Sequence, residues 1–332
     1  MDSLQPQLSA LRDRLGPSPI AGLVAGIHHL QYVVAPGRGI ELVTEFLGRT
    51  GYRCTGCFRH RDTGNHHYLL RLAGSPIGIV VVEIAAGEVA SPRLQGLAFR
   101  VRELEPVRRL LQSERMPFAE HPPGLVTGLI PGLDSHFAYV AGEGFEWFQD
   151  SAFTPADGGV PVSGQTLTPV SRVTGVDHIA YRIRLEGFQS AATHLMRLTP
   201  FRFTDCYTIG QEKAETMVFR IGDLKPALVA SYGQDPGSVV WQYVAKHGPR
   251  VHHVAYYAED VLALVRYQKS AGIQFTTPEI IGSPERGIYQ IFTTPSASSR
   301  EITEYIERFG GFAGFFDPGN VGDLMTSTRP FS

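Results

Sequence analysis

The sequence predicts an α+β protein built from four copies of one β-α-β-β-β unit, forming two curved-sheet, barrel-like domains. Three observations predict it. A short apolar strand with an aromatic or β-branched centre recurs at Gly26–Val33, Gln95–Val101, Asp177–Ile183 and His252–Tyr257. A helix-like stretch follows each copy, and strand-like runs follow each helix. Aligned on the first strand, His29, Gly96, His178 and His253 share one position, at separations of 67, 82 and 75 residues.

The elements justify themselves in order. Residues 1–20 form a leader in which Leu8, Leu11 and Leu15 fall at helical spacing before Pro17 and Pro19 stop the helix. An N-terminal pair of units occupies 21–152, with helices at Ile40–Thr50 and Leu104–Glu114. Its strand-like runs are His67–Leu72 and Ile77–Ile84, then His136–Val140 and Phe145–Phe148. The segment 153–172 is rich in Pro, Gly, Ser and Thr, lacks periodicity and reads as a linker. The C-terminal pair fills 173–332, with helices at Gly187–Leu198 and Asp260–Ala271. Its strands are Thr216–Ile221, Ala227–Tyr232, Ile288–Thr293 and Glu301–Ile306, and Asn320–Thr326 forms a short closing helix.

Composition narrows the function. Of 332 residues, 43% are hydrophobic and 19% charged, enough for a packed core. A net charge of -2 offers no basic surplus for nucleic acid or an anionic membrane surface. No apolar run is long enough to span a membrane, and no signal peptide is evident. Three cysteines cannot all pair, so a reducing cytoplasm is expected.

The chemistry concentrates on three residues. Two imidazoles and a carboxylate on rigid strands suit a divalent first-row metal with one face open. His178 and His253 hold the same place in consecutive units, and Glu304 lies in the last strand. By alternation they share faces with Ala180 and Ala255, whose small side chains leave room for a ligand. The same alternation turns His28 and His252 to the opposite face. The N-terminal equivalents are His29, Gly96 and Glu146; Gly96 has no side chain to coordinate, so a shielding or oligomer-contact role is expected there and no metal. Cys54 and Cys57 have CxxC spacing with His60, His66 and His67 downstream, but no second ligand pair or redox context accompanies them.

These residues carry a resemblance. Val176-Asp177-His178-Ile179, His253-Val254-Ala255, Tyr289 to Pro295, Glu304 to Arg308, Gly314-Phe315 and Gly319-Asn320 resemble, in that order, the 4-hydroxyphenylpyruvate dioxygenase and hydroxymandelate synthase family of the vicinal-oxygen-chelate (glyoxalase-like) superfamily. The resemblance covers about 175–325. It implies that His178, His253 and Glu304 hold Fe(II), that a 2-oxo acid chelates the iron, and that O₂ is used to decarboxylate and hydroxylate that same molecule. It also implies that Gln290, Phe292, Phe315 and Asn320 contribute to the substrate pocket. The chain departs from the family pattern at His252, where a Gln is usual, at Ser238-Val239-Val240, and around Ser231 to Gln234. A pocket built for a phenol hydroxyl discriminates through its hydrogen bonds. The rebuilt set therefore points away from 4-hydroxyphenylpyruvate itself, with Thr216 and Ser231 as replacement hydroxyls. Another arylpyruvate and a branched or aliphatic 2-oxo acid both stay open. So do a metal-dependent lyase, isomerase or ring-cleaving enzyme on the same fold, and a small-ligand binding protein. A homo-oligomer, dimer or tetramer, is expected.

Overall fold

The computed structural model describes residues 4–87, 92–121, 124–142, 144–157, 159, 173–222, 224–310, 312 and 314–332. The chain begins with α1 (Gln5–Leu15), whose Leu8 and Leu11 are buried. The first unit is β1 (Val24–Val34), α2 (Gly39–Thr50), β2 (Arg53–His60), β3 (His66–Arg71) and β4 (Gly78–Glu83). The second is β5 (Arg93–Val101), α3 (Leu104–Ser113), β6 (Phe118–His121), β7 (Gly124–Thr127) and β8 (His136–Ala141). A short β9 (Phe153–Pro155) pairs with β2 inside the expected linker; residues 158 and 160–172 of that linker lie outside the described residues. The third unit is β10 (Val173–Arg182), α4 (Phe188–Leu198), β11 (Arg202–Ile209), β12 (Ala214–Ile221) and β13 (Leu224–Gly233). An extra helix, α5 (Val239–His247), precedes the fourth unit of β14 (Arg250–Ala258), α6 (Val261–Ser270), β15 (Ile281–Ser283), β16 (Ile288–Phe292) and β17 (Ile302–Arg308). α7 (Pro318–Ser327) closes the chain.

The units pair in one way twice. One sheet runs β6-β7-β8-β5-β1-β4-β3-β2-β9 and the other β11-β12-β13-β10-β14-β17-β16-β15. In each, the first strands of two units meet antiparallel at the centre, and each is flanked by the last strand of its own unit in parallel. Strand alternation then divides the residues. Leu30, Tyr32, Phe99, Ile179, Tyr181, Val254 and Tyr256 enter one core that also takes the apolar faces of the helices from both halves. Burying Val261, Leu264 and Val265 of α6 contributes roughly 1.5–3 kcal/mol each. Two tyrosines that reach across the core find acceptors: Tyr139 Oη donates to the Leu198 carbonyl at 2.7 Å, and Tyr305 Oη to the Arg49 carbonyl at 2.8 Å. The opposite face of each sheet forms a concave cup.

One expected strand is absent. Phe145–Phe148 is a single 3-10 turn, Glu146–Gln149. Its aromatics pack on Leu69, Val80 and Val82 of the N-terminal cup, an apolar cluster that pairing at a sheet edge would not bury. The last strand of that unit is β8 instead. Ala98 faces Ala138 across β5 and β8 as Ala255 faces Glu304 across β14 and β17. The counterpart of Glu304 is therefore Ala138, and Glu146 is exposed on the turn.

Candidate metal centre

β10, β14 and β17 bring three donors onto the concave face of the C-terminal sheet. His178 Nε2 and His253 Nε2 lie 3.2 Å apart, and Glu304 Oε2 is 3.1 Å from the first and 3.3 Å from the second. Among the described residues this is the one group of three or more His, Cys, Asp or Glu side chains whose ligand atoms cluster within 4.8 Å. His178 and Glu304 are 1% exposed and His253 15%, so the opening lies on the His253 side.

Two β-bulges arrange the neighbours. On β10 the register slips between Val176 and His178, and on β14 the extra residue is His252. Simple alternation fails at both places. Asp177 comes beside its neighbour, accepting from His178 Nδ1 at 3.0 Å, and His252 turns into the same cavity as His253. Asp177 in turn receives Arg308 through Nε at 3.1 Å and Nη2 at 2.9 Å. Glu304 Oε1 accepts from Gln290 Nε2 at 2.8 Å, and Asn320 Nδ2 donates to Gln290 Oε1 at 3.4 Å. Gln290 and Asn320 thus brace the carboxylate, and the Phe292 ring packs 4.7 Å from His253.

The electrostatics follow from burial. Burial opposes charge on both His178 and Asp177, but their neighbours outweigh it. Glu304 and Asp177 raise the His178 pKa, while His178 and Arg308 hold Asp177 well below the usual carboxylate range. Burial, then repulsion from His178 and Arg182, pushes His253 well down, so it is a neutral imidazole.

The donor set fits a divalent metal. In the neutral form of His178, with Nδ1–H committed to Asp177, Nε2 carries a lone pair. Glu304 Oε2 is buried and receives no hydrogen bond. Lone pairs that converge in a buried site are costly unless a cation sits among them. Spacings of 3.1–3.3 Å are those of adjacent ligands each about 2.0–2.2 Å from one centre.

The architecture has solved counterparts. A triple mutant of 4-hydroxymandelate synthase from Streptomyces coelicolor matches with a TM-score of 0.72 at 18% identity, over 93% of this chain and 99% of that one. The chain has the 4-hydroxymandelate synthase fold. A fusion of a xylose isomerase-like TIM barrel with 4-hydroxyphenylpyruvate dioxygenase matches with a TM-score of 0.65 at 18% identity, over 95% of this chain and 54% of the fusion. No family model matches the chain, and no curated protein does.

On this fold the remaining residues of the cavity fall into place. Thr216 and Ser231 sit opposite each other on β12 and β13, their hydroxyls 2.9 Å apart and both facing the cavity. Phe316 lines it directly, whereas Phe315 lies behind, edge-on to His178 at 5.8 Å and stacked against Arg308 at 4.5 Å. Val321, Leu324 and Met325 of α7 roof a void of about 40 Å³, room for a few water molecules. Sequence reading overlooked Arg182, His252 and Phe316 as cavity residues. Arg182 was accessible to it: it lies four residues after His178 on the same strand, hence on the same face. His252 was not, because a bulge leaves no mark in periodicity.

Cys54 and Cys57 stand apart from this site on β2. Burial raises the thiol of Cys54 and pushes that of Cys57 up to about 11. Both stay protonated at neutral pH, unlike reactive cysteines.

Proposed function

We propose that this protein is a non-haem Fe(II) dioxygenase that decarboxylates a small 2-oxo acid oxidatively and hydroxylates the same molecule, with His178, His253 and Glu304 as metal ligands. The convergence of these three donors on the concave face of a 4-hydroxymandelate synthase fold carries the reading. Ferrous ion, when bound, supplies a site for bidentate 2-oxo acid chelation and O₂ reduction; one O₂ oxygen enters the new carboxylate, the other the hydroxyl, and CO₂ leaves.

The chain's own groups prepare that chemistry. Asp177 fixes the His178 tautomer so that Nε2 faces the metal position. His252 does the same for His253: the two Nδ1 atoms are 2.9 Å apart, and a proton on His253 Nδ1 leaves Nε2 bare. Gln290 holds one carboxylate oxygen and leaves the other for the metal. Phe292, Phe316 and the α7 residues exclude water. With α7 seated, the void is small, so admission of a 2-oxo acid calls for a displacement of α7.

Anaerobic Fe(II)-loaded protein is expected to develop a weak visible charge-transfer band with its 2-oxo acid, and to consume O₂ and release CO₂ in equal amounts on aeration. No band and no O₂ uptake across a panel of 2-oxo acids would sink the proposal.

A further inference from the structure

We infer that the cavity ends in an anion subsite formed by Arg182, and that the 2-oxo acid it takes is therefore a diacid, with a second carboxylate at the end away from the metal ligands. This rests on the metal reading above and adds the substrate class.

The placement comes from β10. His178, Ala180 and Arg182 alternate onto the cavity side, and all three line it. Four residues of extended strand separate His178 from Arg182 by about 13 Å. Between them stands only the methyl group of Ala180, which keeps the path open.

The charge needs a partner that the fold does not provide. Arg182 is 3% exposed. Its Nη2 donates to Thr328 Oγ1 at 2.8 Å, and its guanidinium lies over the Tyr243 ring at 4.8 Å. Both partners are neutral. Nη1 is buried and has no hydrogen-bond partner. No carboxylate comes within ion-pairing distance of Arg182 among the described residues. Glu212, the nearby acid, is engaged by Arg329 at 2.7 Å and by the hydroxyl of Thr326 at 2.5 Å. A buried guanidinium without a counter-ion is among the least favourable arrangements in a protein interior. Its planar fork matches a carboxylate in shape and charge.

The surroundings suit the same group. Ser231 is the β13 partner of Arg182 across the sheet, and with Thr216 it offers two neutral hydroxyls beside the guanidinium. His252 also lines the cavity and adds a ring nitrogen to its polar wall. One end of the cavity is thus built for metal and the other for an anion, which selects a molecule acidic at both ends.

The test is calorimetric titration of the anaerobic Fe(II)-loaded protein with 2-oxoglutarate and with 2-oxopentanoate, which has the same chain length but no distal carboxylate. The wild type is expected to bind the diacid at least about 10-fold tighter, about 1.4 kcal/mol. Arg182→Met is expected to lose that preference while keeping its iron and its affinity for 2-oxopentanoate. Equal wild-type affinities, or a preference that survives in Arg182→Met, overturn the inference. The wild-type comparison needs no variant, so it decides even if Arg182→Met fails to fold. Glutarate, which lacks the keto group, separates the two readings in chelator-treated protein. An Arg182-dependent rise in melting temperature with glutarate, with iron-independent binding of both 2-oxo acids, retains the subsite and rejects the metal reading. Iron-dependent binding of both 2-oxo acids with equal affinity retains the metal reading and rejects the subsite.

Discussion

The two cups of this molecule share a topology and differ at two of three matched positions. In the C-terminal cup the matched places hold His178, His253 and Glu304; in the N-terminal cup they hold His29, Gly96 and Ala138. The bulge before the first histidine is kept in both, and His28 Nδ1 lies 2.9 Å from His29 Nδ1 much as the Asp177 carboxylate lies against His178. Closure is also kept: α7 roofs one cup, and the Trp147 and Phe148 turn with Phe153 roofs the other. The N-terminal cup encloses about 350 Å³ against about 40 Å³. A duplicated scaffold thus maintains bulge and lid without the full donor set, so the donors are a separate layer of information written onto the scaffold.

The comparison can be broken most sharply at its carboxylate. Glu304→Ala is expected to lower turnover about 10³-fold or more and to abolish stoichiometric iron binding, while the thermal melt of the metal-free protein stays cooperative. Iron bound at wild-type stoichiometry would remove Glu304 from the ligand set. Next comes the brace. Asp177→Asn should weaken iron affinity about 10–100-fold, read by chelator competition, because His178 loses its anionic acceptor. Gly96→Ala probes the other cup. A Cβ there would meet the His136 carbonyl oxygen at 2.8 Å, so a loss of about 1–3 kcal/mol in denaturant unfolding is expected. The same clash means that no histidine fits at position 96 without moving β8.

Acid should act on both cups through imidazoles. Burial, then repulsion from His60 and His66, pushes His67 down to about 4; burial also depresses His29, His252 and His253. A folded-state pKa below the unfolded value of 6.5 binds protons more weakly than the unfolded chain does. Stability is therefore complete above about pH 6.5 and falls as pH drops toward 4. His67→Asn should flatten that decline by about 1–2 kcal/mol in urea midpoints compared at pH 7 and pH 4.5. An unchanged slope would mean that the N-terminal imidazoles do not couple to folding. The smallest effect is expected at Cys54→Ser, with iron content unaltered and stability changed by about 1 kcal/mol or less. Loss of metal there would reinstate the CxxC pair.

How much of this was legible from residues alone divides along physical lines. All four first strands, the helix after each, and the triad were readable, because burial on one face imposes a period and repeats expose register. The strands that went unseen, β2, β6, β7, β9, β11 and β15, lie at or beside sheet edges, where polar residues such as those of Arg202–Ile209 mask alternation. α5 was hidden by its β-branched start, Val239-Val240, which needs the Ser238 cap and tertiary packing to turn helical. The Glu146 assignment failed because an aromatic run at strand spacing reads alike whether it pairs or caps a cup.

One link described above has a mechanical side. The Arg308 guanidinium grips Asp177 with two nitrogens, and its Nη1 donates at 2.6 Å to the Phe315 carbonyl, on the loop that leads into α7. The group that accepts from His178 and the loop that leads into α7 therefore hang from one planar cation. A displacement of that loop would disturb the same fork that braces the Asp177 carboxylate, so the roof and the acceptor of His178 are mechanically linked.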